Sequence, residues 1–169
     1  SNYSNQRRDV YGGKAANRYR FAHEVIQAVR RRVPEDRLLT FRISNWSGRD
    51  PEVSLFGSKE EHQTIIRSLS KEPIDAISVS TQDYRDKAFG TNQNMAQLTR
   101  EATSLPIFIC GGIYDRKTAE EALQDAELIL SAKSMLLHPN WVEELRTGKP
   151  LPLHKKEEAN IAYTKTPLP

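Results

Sequence analysis

Apolar and polar positions along this chain recur with two different periods. Between residues 15 and 32, Phe21, Val25, Ile26 and Val29 fall at helical spacing, with Arg18, Glu24, Gln27 and Arg31 between them. Pro34 closes the run. This predicts an amphipathic helix with the apolar stripe turned inward, entered through a polar loop that ends at Gly12-Gly13. Residues 38–44 change to period two: Leu39, Phe41 and Ile43 face one way, Thr40, Arg42 and Ser44 the other. That is a strand. A polar loop follows, with Trp46, Gly48, Pro51 and Gly57, and then Ser58 and Glu61 stand at the spacing of a capping box. The helix they open runs to Leu69, with Ile65, Ile66 and Leu69 inward.

The alternation then repeats. Residues 74–80 predict a strand, and the loop at 81–90 is long and rich in charge, a length that marks functional or mobile segments. A helix is expected at 92–102. The block from Pro106 to Cys110 carries no charge and breaks on Gly111-Gly112, which reads as a strand buried on both faces and leaving through a tight turn. A helix at 116–124, a strand at 127–133 and a short helix opened by Pro139-Asn140-Trp141 complete the pattern. Beyond Gly148 the chain holds Pro150, Pro152, Pro167 and Pro169 and reads as a surface tail. Four strands, each followed by a helix, make a parallel sheet. Two architectures fit: a small open doubly wound sheet, or part of a (β/α)8 barrel, whose full form takes roughly 250 residues. The chain opens in a loop and a helix, whereas a self-contained domain would more naturally begin with a strand.

Composition narrows the class without naming a chemistry. At 169 residues, one domain is expected. A net charge of +3 is too small to argue for nucleic acid, and the Arg30-Arg31-Arg32 run reads as a complement to the dipole at a helix end. No apolar run is long enough to span a membrane, and Ser1 to Asn5 does not read as a signal peptide. The one cysteine, Cys110, is expected to be a buried structural thiol, in keeping with the reducing cytoplasm.

Candidate chemistry rests on few residues. An arginine within a strand needs a partner, so Arg42 is either one half of a structural ion pair or a cation aimed at a ligand. The Gly111-Gly112 pair is either plain turn chemistry or a turn whose amides hold an anion such as phosphate. Tyr84 and Tyr114 stand on loops near carboxyl ends of strands, positioned to reach a ligand. His23, His62, His138 and His154 read as surface or helix-end histidines.

One segment is more specific. Asn5-Gln6-Arg7-Arg8-Asp9-Val10-Tyr11-Gly12-Gly13, followed by Asn17-Arg18-Tyr19-Arg20-Phe21, resembles a signature of the old yellow enzyme family of FMN-dependent NAD(P)H oxidoreductases. Residues 41–44 are similar to that family's fifth barrel strand, Gly111-Gly112-Ile113 to the end of the seventh, and Glu127 to Trp141 to the eighth and its sequel. The resemblance reaches about Lys149. It implies the carboxyl-terminal half of a (β/α)8 flavin barrel over residues 1–149, with the tail at 150–169, incomplete as a single chain. It implies FMN as cofactor and NAD(P)H as reductant, with hydride passed to an electron-poor alkene or similar acceptor. Arg42 would meet the pyrimidine edge of the flavin and stabilise negative charge there. Gly111, Gly112, Ala132 and Lys133 would hold its phosphate. The family usually has Gly-Arg where this chain has Ala132-Lys133; lysine keeps the charge and loses the forked geometry. The family's substrate-binding His-x-x-Asn or His-x-x-His pair and its tyrosine proton donor have no counterpart here. The half-barrel is therefore expected to be inactive alone and to pair with an amino-terminal half or with a second copy. The other reading is a non-catalytic binding or assembly module built on the same half-barrel. A third is a small doubly wound domain that binds a phosphate-bearing ligand at Gly111.

Overall fold

The computed structural model describes residues 1–47, 53–149, 151 and 158. The tail expected at 150–169 lies almost wholly outside the described residues, as do residues 48–52 of the loop after the first strand.

Helix α1 (Ala15–Arg30) precedes four strands, β1 (Thr40–Ser44), β2 (Ala76–Ser80), β3 (Ile107–Cys110) and β4 (Leu128–Leu130). Between them lie α2 (Lys59–Leu69), α3 (Met95–Arg100) and α4 (Arg116–Ala122). Two short helices follow β4, α5 (Lys133–Leu137) and α6 (Trp141–Thr147). The sheet order is β1-β2-β3-β4 and every pair is parallel. Because the order never reverses, right-handed crossovers place all the connecting helices on one side. A doubly wound sheet needs a reversal and helices on both faces, so that alternative falls. Four consecutive strand–helix units remain, the arrangement of half a (β/α)8 barrel.

Register shows the two faces directly. Ile77 and Val79 pair with Ile107 and Ile109, all buried under the helices beside Ile66, Leu69 and Leu98. Each such side chain contributes about 1.5–3 kcal/mol of transfer free energy. Arg42, Ser78, Phe108 and Leu128 follow one another across the other face. There Arg42 and Leu128 are exposed and Phe108 and Cys110 half-buried. The expectation that 106–110 is buried on both faces is thus corrected: no layer among the described residues covers the second face. Cys110 is half-buried for the same reason, not the core thiol expected.

The ends of elements are set by side chains that compete with the ladder. Asp75 accepts the Leu39 amide at 2.6 Å, so the first strand starts at Thr40, and Leu38 is exposed. Ser58 accepts from the Glu61 amide at 3.2 Å, but Glu61 turns its carboxylate to the Gly57 amide, so only half of the expected capping box forms. Full capping boxes stand instead at Asn94 with Gln97 and at Asp115 with Thr118. In α1 the expected inward stripe is corrected: only Ile26 is buried, while Phe21, Val25 and Val29 are exposed. The helix packs against α2 and buries Ile26, and its Tyr19 hydroxyl donates to Glu72, just beyond the end of α2, at 2.7 Å. The helix ends at Arg30, two residues before the expected end at Arg32, and Arg30 donates to the carbonyls of Pro73 and Arg37, outside the helix.

Candidate functional site

A cleft of about 700 Å³ opens at the carboxyl ends of β3 and β4. Open parallel sheets and barrels bind ligands at this end, because there the loops, not the packed strands, meet solvent. The cleft is lined by the strand ends at Cys110 and Leu130, the turn from Gly111 to Tyr114, the segment from Ser131 to Ser134, Thr81 to Asp83 with Arg85, and Trp46.

The turn after β3 is built for glycine. Gly111 has φ 114° and Gly112 φ 68°, both in the region that side chains rarely adopt. A Cβ on Gly111 would stand 2.3 Å from the Thr81 carbonyl oxygen, and one on Gly112 would stand 2.7 Å from the Asp83 carboxylate. The turn's carbonyls are engaged by the surroundings. Thr81 donates its hydroxyl to Cys110 O at 2.7 Å, and the Tyr84 amide donates to Gly111 O at 3.0 Å. Ser134 donates to Ile113 O at 2.9 Å, and the Trp141 indole to Tyr114 O at 2.9 Å. A turn held by its carbonyls in this way is a fixed cradle whose backbone can approach an anion closely.

Four of the five expected site residues meet here: Gly111, Gly112, Ala132 and Lys133 all line the cleft. Lys133 does not continue the last strand, as expected, but opens α5 after a strand that ends at Leu130. Its side chain is exposed and makes no ion pair among the described residues. Arg42 is not part of the cleft lining. It lies on the open sheet face two strands away, about 10 Å across the sheet, and its guanidinium Nε donates to Ser78 Oγ at 3.3 Å. Of the two readings left open for Arg42, the structural ion pair is absent among the described residues.

Other expectations divide. Tyr114 lines the cleft. Tyr84 does not: it is 3% exposed, its hydroxyl donates to Glu121 at 2.8 Å, and burial followed by that bond pushes its pKa up to about 12. His23 is an exposed helix residue and His138 caps the end of α5, as read from the sequence, while His154 lies outside the described residues. His62 is corrected. It is fully buried between Phe56 and Phe89, because the first turn of α2 faces the core at that position.

Sequence reasoning passed over Asp83 and Arg85. Arg85 grips the Asp83 carboxylate with two bonds, Nε to Oδ1 at 2.8 Å and a terminal nitrogen to Oδ2 at 2.5 Å. The Arg85 side chain, above all, and its backbone amide hold the Asp83 carboxyl below the usual range. The signal that could have found them was the charged loop at 81–90, whose length marks it as functional or mobile.

Comparison with known proteins adds to this geometry. The family model described as NADH:flavin oxidoreductase / NADH oxidase family matches residues 1–152. An NADH oxidase from Thermoanaerobacter brockii is 24% identical, over 94% of this chain and 25% of its own length. An NADPH dehydrogenase from Clostridium acetobutylicum is 28% identical, over 82% of this chain and 42% of its own. Among solved structures, morphinone reductase in complex with tetrahydroNAD matches 97% of this chain and 44% of its own, with TM-score 0.73 at 21% identity. The old yellow enzyme homologue from Zymomonas mobilis matches 98% and 48%, with TM-score 0.74 at 24% identity. At these identities the structural likeness shows the fold alone. The chain spans less than half the length of each of these relatives. The family match over 1–152 takes in every strand and the whole cleft, and on it the chain belongs to the NADH:flavin oxidoreductase / NADH oxidase family.

Proposed function

We propose that this chain is the carboxyl-terminal part of an FMN-dependent NAD(P)H oxidoreductase and holds the phosphate end of the flavin. The observation that carries the reading is the Gly111–Gly112 cradle, too tight for a Cβ at either position, in the same cleft as the exposed Lys133. A phosphate fits such a site: fixed backbone for close approach, and a cation lining the same cleft. Lys133 acts as a point charge and Ala132 only as a spacer. Among the described residues Arg42 has only a serine hydroxyl as partner, so its positive charge is available on the open face to the electron-rich edge of a ring. Bound FMN supplies the hydride chemistry, taking hydride from NAD(P)H and giving it to an electron-poor alkene or similar acceptor.

What these residues do is bind and orient. Tyr84 is tied to Glu121 inside the core and cannot serve as a proton donor at the cleft. Turnover therefore requires the amino-terminal half of the barrel, which covers the open sheet face in the complete enzyme. The isolated chain covers that face by pairing with a second copy of itself, since β1 and β4 both leave an unpaired parallel edge. We place the protein in the cytoplasm, where a single half-exposed thiol stays reduced; among the described residues no helix is long and apolar enough to cross a membrane. No nucleic acid partner is invoked.

The test is NADH and NADPH oxidation with excess FMN, by this chain alone and joined to the amino-terminal half of a family barrel. The expected result is no turnover alone and flavin-dependent oxidation in the joined protein. Turnover by the chain alone, or none in a folded and flavin-loaded barrel, contradicts the reading. In the second case the binding-module alternative takes its place.

A further inference from the structure

The cleft contains an acid where an anion is to bind. The Asp83 carboxylate stands directly against Gly112, close enough that a Cβ there would meet its Oδ2 at 2.7 Å. A bare carboxylate at that distance opposes any phosphate laid on the turn. The only cation bonded to Asp83 among the described residues is Arg85, two residues on in the same loop. Its fork is bidentate, and the Arg85 amide adds a third bond to Oδ1 at 2.9 Å. Asp83 is thus held in place by three bonds from one residue. The guanidinium also lies 5.5 Å from the centre of the Tyr84 ring, which is anchored in the core, so the arginine is braced from beneath. About half of the Arg85 side chain remains exposed to solvent, and it lines the cleft.

We propose that Asp83 and Arg85 form a charge-compensated clamp on the glycine turn, in which Asp83 fixes the position of the 81–90 loop and Arg85 cancels its charge so that a phosphate can bind at Gly112. The inference rests on the phosphate reading of the cleft and adds a positioning residue to it. Its consequence is specific. Removing Arg85 uncovers a negative charge at the cradle; removing Asp83 as well takes that charge away. A merely structural role for Arg85 predicts the opposite, since losing both partners then leaves the loop no better held.

The experiment uses the isotope-labelled chain titrated with inorganic phosphate and followed at the Gly111 and Gly112 amide resonances. Arg85→Ala is expected to weaken phosphate by about tenfold, one unit of charge at close range. Arg85→Lys is expected to keep most of the affinity, and Asp83→Asn with Arg85→Ala to return it to within about threefold of the parent. A double variant as weak as Arg85→Ala, an Arg85→Ala chain that binds as the parent does, or a parent in which phosphate moves neither amide overturns the clamp. FMN and riboflavin titrated into the same samples separate this from the broader reading. Phosphate behaving as stated while FMN binds no better than riboflavin leaves the clamp standing and removes the flavin. A preference for FMN that Arg85→Ala does not alter leaves the flavin and removes the clamp.

Discussion

His62 carries an unused lone pair into the core. Its Nε2 lies 3.1 Å from Thr99 Oγ1, and that hydroxyl already gives its own hydrogen to Met95 O at 2.7 Å. The imidazole must therefore donate through Nε2, which leaves Nδ1 as a bare acceptor, and Nδ1 has no partner among the described residues. Burial lowers its pKa from 6.5 to about 4. The folded chain holds His62 neutral while the unfolded chain protonates it below 6.5, so the unfolded state binds more protons in that window. Its contribution is complete above pH 6.5 and is lost as pH falls toward 4. The loss expected is on the order of 3 kcal/mol. Urea denaturation at steps from pH 7 to pH 4 should show it, and His62→Gln should flatten that part of the curve. An equal slope in the variant would assign the effect to other groups. The sequence placed this histidine at a helix start, which holds, but periodicity at one end of a helix does not say which side the first turn presents. Arg42 was legible as an anomaly in its strand, and its exposure was not, because that depends on what lies over the sheet.

At the scale of elements, the turn between β3 and α4 joins strand, cleft and loop. Gly111 was legible as a break after an apolar block; what was not legible is that Thr81, thirty positions earlier, closes over it. Gly111→Ala meets both a positive φ and the Thr81 carbonyl, and is expected to destabilise the chain by about 2 kcal/mol or more. Gly13→Ala is the control: φ is 73° there, but nothing lies within 4 Å of an added Cβ. It should cost about 1 kcal/mol. Equal shifts in the urea midpoints of the two variants would mean that the packing of Thr81 on Gly111 is not what fixes the turn. Strand and helix order was readable from residue 15 to β4, from changes of period and from the uncharged block at 106–110, but α5 was not, because the last strand was expected to run on through Lys133. Ends were less so. Asp75 takes the Leu39 amide and Glu61 reaches past its own cap to Gly57, and such bonds depend on neighbours in space.

At the scale of the whole molecule, the helix layer covers one face of the sheet and leaves Arg42, Phe108 and Leu128 on the other. The same one-sidedness explains the strip of Phe21, Val25 and Val29 on α1, at the end of the layer where a preceding helix of a barrel would pack. The (β/α) alternation could be read from the chain; the one-sided layer required the strand order, which no local pattern encodes. Sedimentation of the chain with FMN, followed at both protein and flavin absorbance, tests the central claim most directly. The account predicts that flavin travels with a species heavier than the 19.3 kDa monomer, and that Arg42→Ala strips the flavin from it. Flavin that stays with the free solute at saturating concentration, or that travels unchanged with the Arg42→Ala chain, would contradict it.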